Sequence, residues 1–146
     1  MQHFQTPIKI CKIMADMIPT KVKTVLEPTP GDGNLVRCLA GYKVTAPKDF
    51  WLIGGVFDAV VMNPPFTPMA TGYEILFTCM DMTDNVIALM PWLTLINSER
   101  RTNRLIEYGL KSVSHLPRST FKGSRVQTCI IELRRGWQHE CLFRAI

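Results

Sequence analysis

Residues 57–66 read Phe57-Asp58-Ala59-Val60-Val61-Met62-Asn63-Pro64-Pro65-Phe66, an apolar run that stops at a carboxamide and two prolines. The run reads as a buried β-strand. The prolines fix φ and cannot donate to a ladder, so the chain leaves the strand at residue 63 in one shape. A carboxamide, a stiff turn and an aromatic ring thus stand together at the carboxyl end of a strand, where open α/β sheets bind their ligands. From there the Asn63 amide oxygen and the Pro64 carbonyl can both be aimed at one amino group, and Phe66 offers a face to a planar base. Asn-Pro and Pro-Pro are also ordinary turn punctuation, so the stretch gains meaning from what surrounds it.

Upstream, Thr24-Val25-Leu26-Glu27-Pro28-Thr29-Pro30-Gly31-Asp32-Gly33-Asn34 reads as a short strand entering a glycine loop. A short helix over 35–40 follows and closes at Gly41. Glycines at 31 and 33 allow a ligand to approach the backbone where a Cβ would clash. The helix turns its first N–H groups toward an anionic group. Glu27, at the end of the strand, is placed to accept from a ligand ammonium. Asp32 reads as a shaper of the turn.

The rest of the chain supplies the frame. Thr6 and Pro7 read as N-cap and first residue of an amphipathic helix with Ile10, Cys11, Met14, Met17 and Ile18 on its apolar stripe, stopped by Pro19. A second strand lies near 43–46. Thr71-Gly72-Tyr73-Glu74 has capping-box spacing and predicts a helix to about residue 82. Residues 86–90 read as a fully buried strand, as in a parallel sheet covered on both faces. A polar helix over 98–108 ends at Gly109, and late strands follow over 112–116 and 127–133. The architecture expected is α/β: a trimmed Rossmann-like sheet, mostly parallel, with helices on both faces.

Length and composition bound the classes open to the chain. With 146 residues and 47% hydrophobic content, 1–146 reads as one domain with a real core. A net charge of +5 and a pI near 9.1 favour a polyanionic partner. Five scattered cysteines without a Cys-x-x-Cys pair argue against zinc, and His3, His115 and His139 are too dispersed for a metal cluster or a nucleophilic triad, so no metal is expected. The longest apolar stretch, 86–96, is too short to span a bilayer, and no secretory leader is evident. A reducing, cytoplasmic setting is expected. Arg100, Arg101 and Arg104 on the polar helix and Arg118, Lys122 and Arg125 before the last strand form two basic clusters that read as phosphate contacts bracketing a base pocket. Trp92 reads as core, and Asp58 as a structural cap.

Taken together, Glu27-Pro28-Thr29-Pro30-Gly31-Asp32-Gly33 and Asn63-Pro64-Pro65-Phe66 resemble the cofactor loop and catalytic element of S-adenosylmethionine-dependent amino-methyltransferases of the N6-adenine class. Phe4-Gln5-Thr6-Pro7 is similar to that family's Phe-x-Thr-Pro element on the methionine side of the cofactor, and Asp49-Phe50 to its acidic-aromatic pair at the cofactor's adenine. Residues 116–123 and 126–133 resemble the last loop and strand of the domain. The resemblance spans nearly the whole chain and implies cofactor contacts from Thr6, Pro7, Glu27, Pro28, Gly31, Asp32, Gly33, Asp49 and Phe50. It implies catalysis by Asn63, Pro64, Pro65 and Phe66 on the exocyclic amino group of adenine in DNA. RNA adenine or a protein glutamine amide as acceptor, or an inactive cofactor- or nucleic-acid-binding module, are the alternatives. Three departures are visible. No acidic residue follows 42–46 to bind the ribose hydroxyls, which predicts modest cofactor affinity. The helix between the second and third strands is missing. Residues 134–146 are too few for a target-recognition domain, so readout is expected from a second subunit or a homodimer.

Overall fold

The computed structural model describes residues 5–146. Phe4, quoted with the Thr-Pro element, and His3 lie outside the described residues. In chain order the elements are α1 (Ile8–Asp16), β1 (Thr24–Leu26), α2 (Asn34–Cys38), β2 (Lys43–Thr45), β3 (Ala59–Met62), α3 (Met69–Met80), β4 (Asn85–Pro91), α4 (Leu93–Ile96), α5 (Glu99–Tyr108), β5 (Leu110–His115), β6 (Thr128–Arg134) and β7 (Leu142–Ala145). Short 3-10 turns lie at Phe50–Leu52 and Arg118–Thr120.

The seven strands form one sheet in the order β2-β1-β3-β4-β6-β5-β7. Only β6 runs against the rest, antiparallel to both β4 and β5. This is the mostly parallel Rossmann-like α/β sheet that the sequence predicts. From β1 the chain steps outward to β2, then returns past β1 to β3. The strand order therefore reverses between β1 and β3, and the crevice beyond their carboxyl ends is where doubly wound sheets bind ligands.

Alternation along the central strands explains why they read as unbroken apolar runs. Val60 and Met62 of β3, with Val86, Ala88 and Met90 of β4, pack on one face beneath Ile75, Leu76 and Cys79 of α3 and Leu105 of α5. Ala59 and Val61, with Ile87 and Leu89, pack on the other face against Ile10, Cys11 and Met14 of α1 and Leu35 of α2. Both faces are dry, so neither strand carries a polar stripe. Asp58 fastens the entry to β3: its Oδ2 accepts from the backbone N–H groups of Lys23 and Thr24 at 2.9 and 3.0 Å, as a structural cap would.

Several boundaries differ from the sequence-based expectation. Pro7, not Thr6, holds the N-cap position of α1, because the Thr6 hydroxyl is engaged elsewhere. The helix after the glycine loop ends at Cys38, and Gly41 is absent from the left-handed glycines, so it does not cap it. α3 starts at Met69 rather than at Thr71: Pro68, extended at φ −74° and ψ 156°, has no N–H to give a helix interior and so marks the start. The connection from β2 to β3 carries no α-helix, only the 3-10 turn, as the sequence shows. β7, which lies parallel along β5 at the sheet edge, and the one-turn α4 have no counterpart in the sequence reading.

Candidate active site

The reversal point between β1 and β3 gathers three separate stretches of chain. Glu27 leaves the end of β1 and Asn63 the end of β3, and Thr6, 3% exposed, meets Asn63. Asn63 Nδ2 donates to Thr6 Oγ1 at 3.0 Å. Asn34 Nδ2, from the first residue of α2, donates to the Thr6 carbonyl at 2.9 Å. The Asn34 amide oxygen in turn accepts from Arg37 Nη2, and Arg37 Nη1 donates to the Asp32 carbonyl at 3.0 Å. One hydrogen-bonded chain thus joins the glycine loop, the Thr-Pro element and the Asn-Pro-Pro-Phe turn. Asn34 and Arg37 escaped the sequence reading; an amide directly after Gly33, at the start of a helix, was the available signal.

In the loop, Gly31 (φ 53°) and Gly33 (φ 89°) both adopt left-handed backbone. Side chains rarely adopt this region, so the glycines are needed for the shape as well as for access. Glu27 is 1% exposed. Its Oε1 accepts from the Thr29 N–H at 2.8 Å, inside its own loop. Burial pushes its carboxyl up to about 7, against the opposing effect of Thr29. Burial likewise drives the Cys11 and Cys79 thiols up to about 12, so neither offers a thiolate at neutral pH.

Asn63, Pro64, Pro65 and Phe66 line one wall of a pocket closed by Leu89 and Pro91 of β4 and by Phe121, Ser124 and Val126 of the 117–126 loop. The expected residues Arg118, Lys122 and Arg125 sit exposed on that same loop, beside the pocket. The other basic cluster is placed differently. Arg101 lies over the Tyr73 ring at 4.0 Å and Arg104 over Phe77 at 4.2 Å, while Arg100 faces solvent among Glu99 and Glu107. Asp49 caps the 3-10 turn by accepting from the Trp51 N–H at 3.0 Å, and Phe50 is buried in the core. Pro7 and Pro28 flank Thr6 and Glu27 in sequence. Trp92 packs against the core, its Nε1 donating to His115 Nδ1 at 2.9 Å. Among the described residues, no group of three or more His, Cys, Asp or Glu is arranged to hold a metal ion.

No family model matches the chain, and no curated protein matches it in sequence. Solved structures do. A protein from Vibrio vulnificus assigned as a modification subunit of a type I restriction enzyme superposes with a TM-score of 0.77 at 15% identity, over 97% of this chain and 47% of its own. A protein from Listeria monocytogenes assigned as a class I S-adenosylmethionine-dependent methyltransferase gives 0.76 at 16% identity, over 97% and 65%. A protein from Pyrococcus horikoshii assigned as an RNA methyltransferase gives 0.62 at 16% identity, over 92% and 87%. The fold is therefore that of the Rossmann-like methyltransferases. The chain spans about half to two thirds of the first two.

Proposed function

We propose that the protein uses S-adenosylmethionine to methylate the exocyclic amino group of adenine in DNA. The observation that carries this reading is the hydrogen-bonded chain from the glycine loop through Thr6 to Asn63, which couples a left-handed glycine cradle to a carboxamide at the mouth of an aromatic-walled pocket. The cradle fits the methionine side of the cofactor, with Gly31, Asp32 and Gly33 presenting exposed or half-buried backbone near Thr6. Glu27 holds the loop from within. No carboxylate stands at the end of β2 for the ribose, so affinity is modest.

The bound cofactor supplies an electrophilic methyl group on sulfur. The protein's task is to prepare the acceptor, whose amino lone pair is delocalised into the ring and is a poor nucleophile. Thr6 takes the Asn63 NH2 and orients Oδ1 as an acceptor. Asn63 Oδ1 and the Pro64 carbonyl then accept the two N–H bonds and draw the nitrogen toward tetrahedral geometry. Because the amine's proton would become acidic only once the nitrogen is alkylated, it would leave to water, and no strong base is required of these residues. Positioning of this kind supplies on the order of 7 kcal/mol in well-aligned reactions. Phe66 stacks on the base, which in a duplex is first flipped from its partner. Arg118, Lys122 and Arg125 hold the flanking phosphates, and sequence readout comes from a second subunit or a homodimer partner.

Isothermal titration with S-adenosylmethionine and with its demethylated product tests the cofactor half directly. Binding of either in the micromolar to millimolar range is expected. Silence at millimolar concentration for both would sink the enzymatic reading.

A further inference from the structure

Gly72 is buried in the second turn of α3, where its backbone is ordinary helix and needs no glycine. A helix interior disfavours glycine more than any residue except proline, because it loses the most backbone freedom and packs nothing. Its presence is explained by what lies on it. A Cβ at position 72 would stand 2.3, 2.5 and 2.7 Å from Cε1, Cδ1 and Cζ of Phe66, closer than real Cβ contacts come. The Phe66 ring rests directly on the bare backbone of α3.

The seat is braced from the side. The Phe66 ring meets Tyr73 edge-on, with centroids 6.5 Å apart and planes at 89°. Tyr73 is itself 3% exposed and held from three directions. Its hydroxyl donates to the Leu93 carbonyl at 3.4 Å, Phe77 stacks on its ring at 6.2 Å, and the Arg101 guanidinium covers it at 4.0 Å. Phe66 is half-buried, packs against the core and also lines the pocket of Asn63. We propose that Gly72 is a positioning residue of the base pocket: the missing side chain is the notch that fixes the height and tilt of the Phe66 ring, and Tyr73 is its side wall. Gly72 acts in this way where Phe66 is the stacking surface of the adenine, as in the function proposed above.

Gly72→Ala separates this role from a merely helical one, because alanine at an unstrained helix position otherwise leaves a protein equally or more stable. The probe is a single-stranded deoxyadenosine oligonucleotide with methyl-labelled S-adenosylmethionine, and the Phe66 ring is followed by carbon-13 aromatic resonances. Gly72→Ala is expected to raise KM for the oligonucleotide about tenfold, with a smaller change in kcat and unchanged cofactor binding, since one stacked base carries an effect of that order. The Phe66 resonances shift at the same time. In a Phe66→Ala background the same substitution has no further effect on KM, because there is no ring left to displace. An unmoved Phe66 signal, or an equal rise in KM with and without the Phe66 ring, overturns the proposal. Should Gly72→Ala fail to fold, recovery of folding in the Phe66→Ala, Gly72→Ala double variant supports the seat, and failure of both overturns it. A wild-type protein that transfers no methyl group refutes the function proposed above, while the resonance shift on Gly72→Ala still decides whether Gly72 seats Phe66.

Discussion

Thr6 and Asn63 stand 57 positions apart in the chain and meet through one hydroxyl–amide bond at 3.0 Å. On the proposed mechanism Asn63→Ala removes an acceptor that acts on the substrate only as it reacts, so kcat should fall roughly a hundredfold, a loss of about 3 kcal/mol, with cofactor binding nearly unchanged. Thr6→Val keeps the shape and deletes the hydroxyl that orients the amide. Because a single net hydrogen bond is worth only about 1 kcal/mol to stability, the variant should stay folded while single-turnover methylation slows by about tenfold. Equal rates for Thr6→Val and wild type would show that Thr6 does not orient Asn63. The placement of residues 63–66 as a turn at the end of a buried strand was legible from sequence because prolines after an apolar run leave few shapes open. The partner of the Thr6 hydroxyl was not legible, since that hydroxyl serves equally well as a helix cap, and only the fold decides that it meets Asn63.

Glu27 belongs to the same scale and gives a pH signature. Its carboxyl is raised from an ordinary value of 4.5 to about 7 by burial. The folded state therefore binds a proton that the unfolded state has released between these values. The stabilisation is complete below about pH 4.5 and is lost as pH rises through about 7. The full effect is on the order of 3 kcal/mol. Chemical unfolding at pH 5 and pH 8 should show Glu27→Gln losing less stability than wild type over that interval, with the Thr29 contact kept by the amide oxygen. An identical pH dependence in both proteins would contradict a carboxyl whose burial outweighs its Thr29 contact.

At the scale of elements, the strands that were easiest to read are those buried on both faces. β3 and β4 are continuous apolar runs, and their positions matched the expectation to within a residue or two. Elements whose pattern is weak were misjudged. α3 carries a capping-box spacing at Thr71, yet Pro68 outranks it because a missing N–H is a harder constraint than a favourable cap. β7 is exposed at every position and makes its contacts by pairing with β5, so no burial pattern announced it. Hydrogen exchange should follow the same order. Amides of β3 and β4 should exchange only through global opening, while those of β7 and β2, at the two sheet edges, should exchange by local fraying. Protection in β7 equal to that in β4 would mean that the edge is covered in solution.

The whole molecule is basic, with a net charge of +5, and its pocket has Arg118, Lys122 and Arg125 on the adjacent loop. DNA binding by the chain should be weak, nearly indifferent to sequence and steeply dependent on salt, because phosphate contacts position a duplex without reading it. Affinity that stays flat between low and physiological salt would contradict this. Among the described residues no helix is long and apolar enough to cross a membrane.

Preparation of an adenine amino group by Asn63 and its turn, as proposed, is open to a parallel labelling experiment. The protein and its Asn63→Ala variant are incubated with methyl-labelled S-adenosylmethionine and, in parallel, with DNA, RNA and a glutamine-containing protein. The products are then hydrolysed and separated by mass. Label is expected in N6-methyldeoxyadenosine from the DNA reaction, reduced roughly a hundredfold by the substitution. Label in RNA adenine or glutamine instead would reassign the acceptor, and equal labelling by the two proteins, or none in any reaction, would contradict a catalytic role for Asn63.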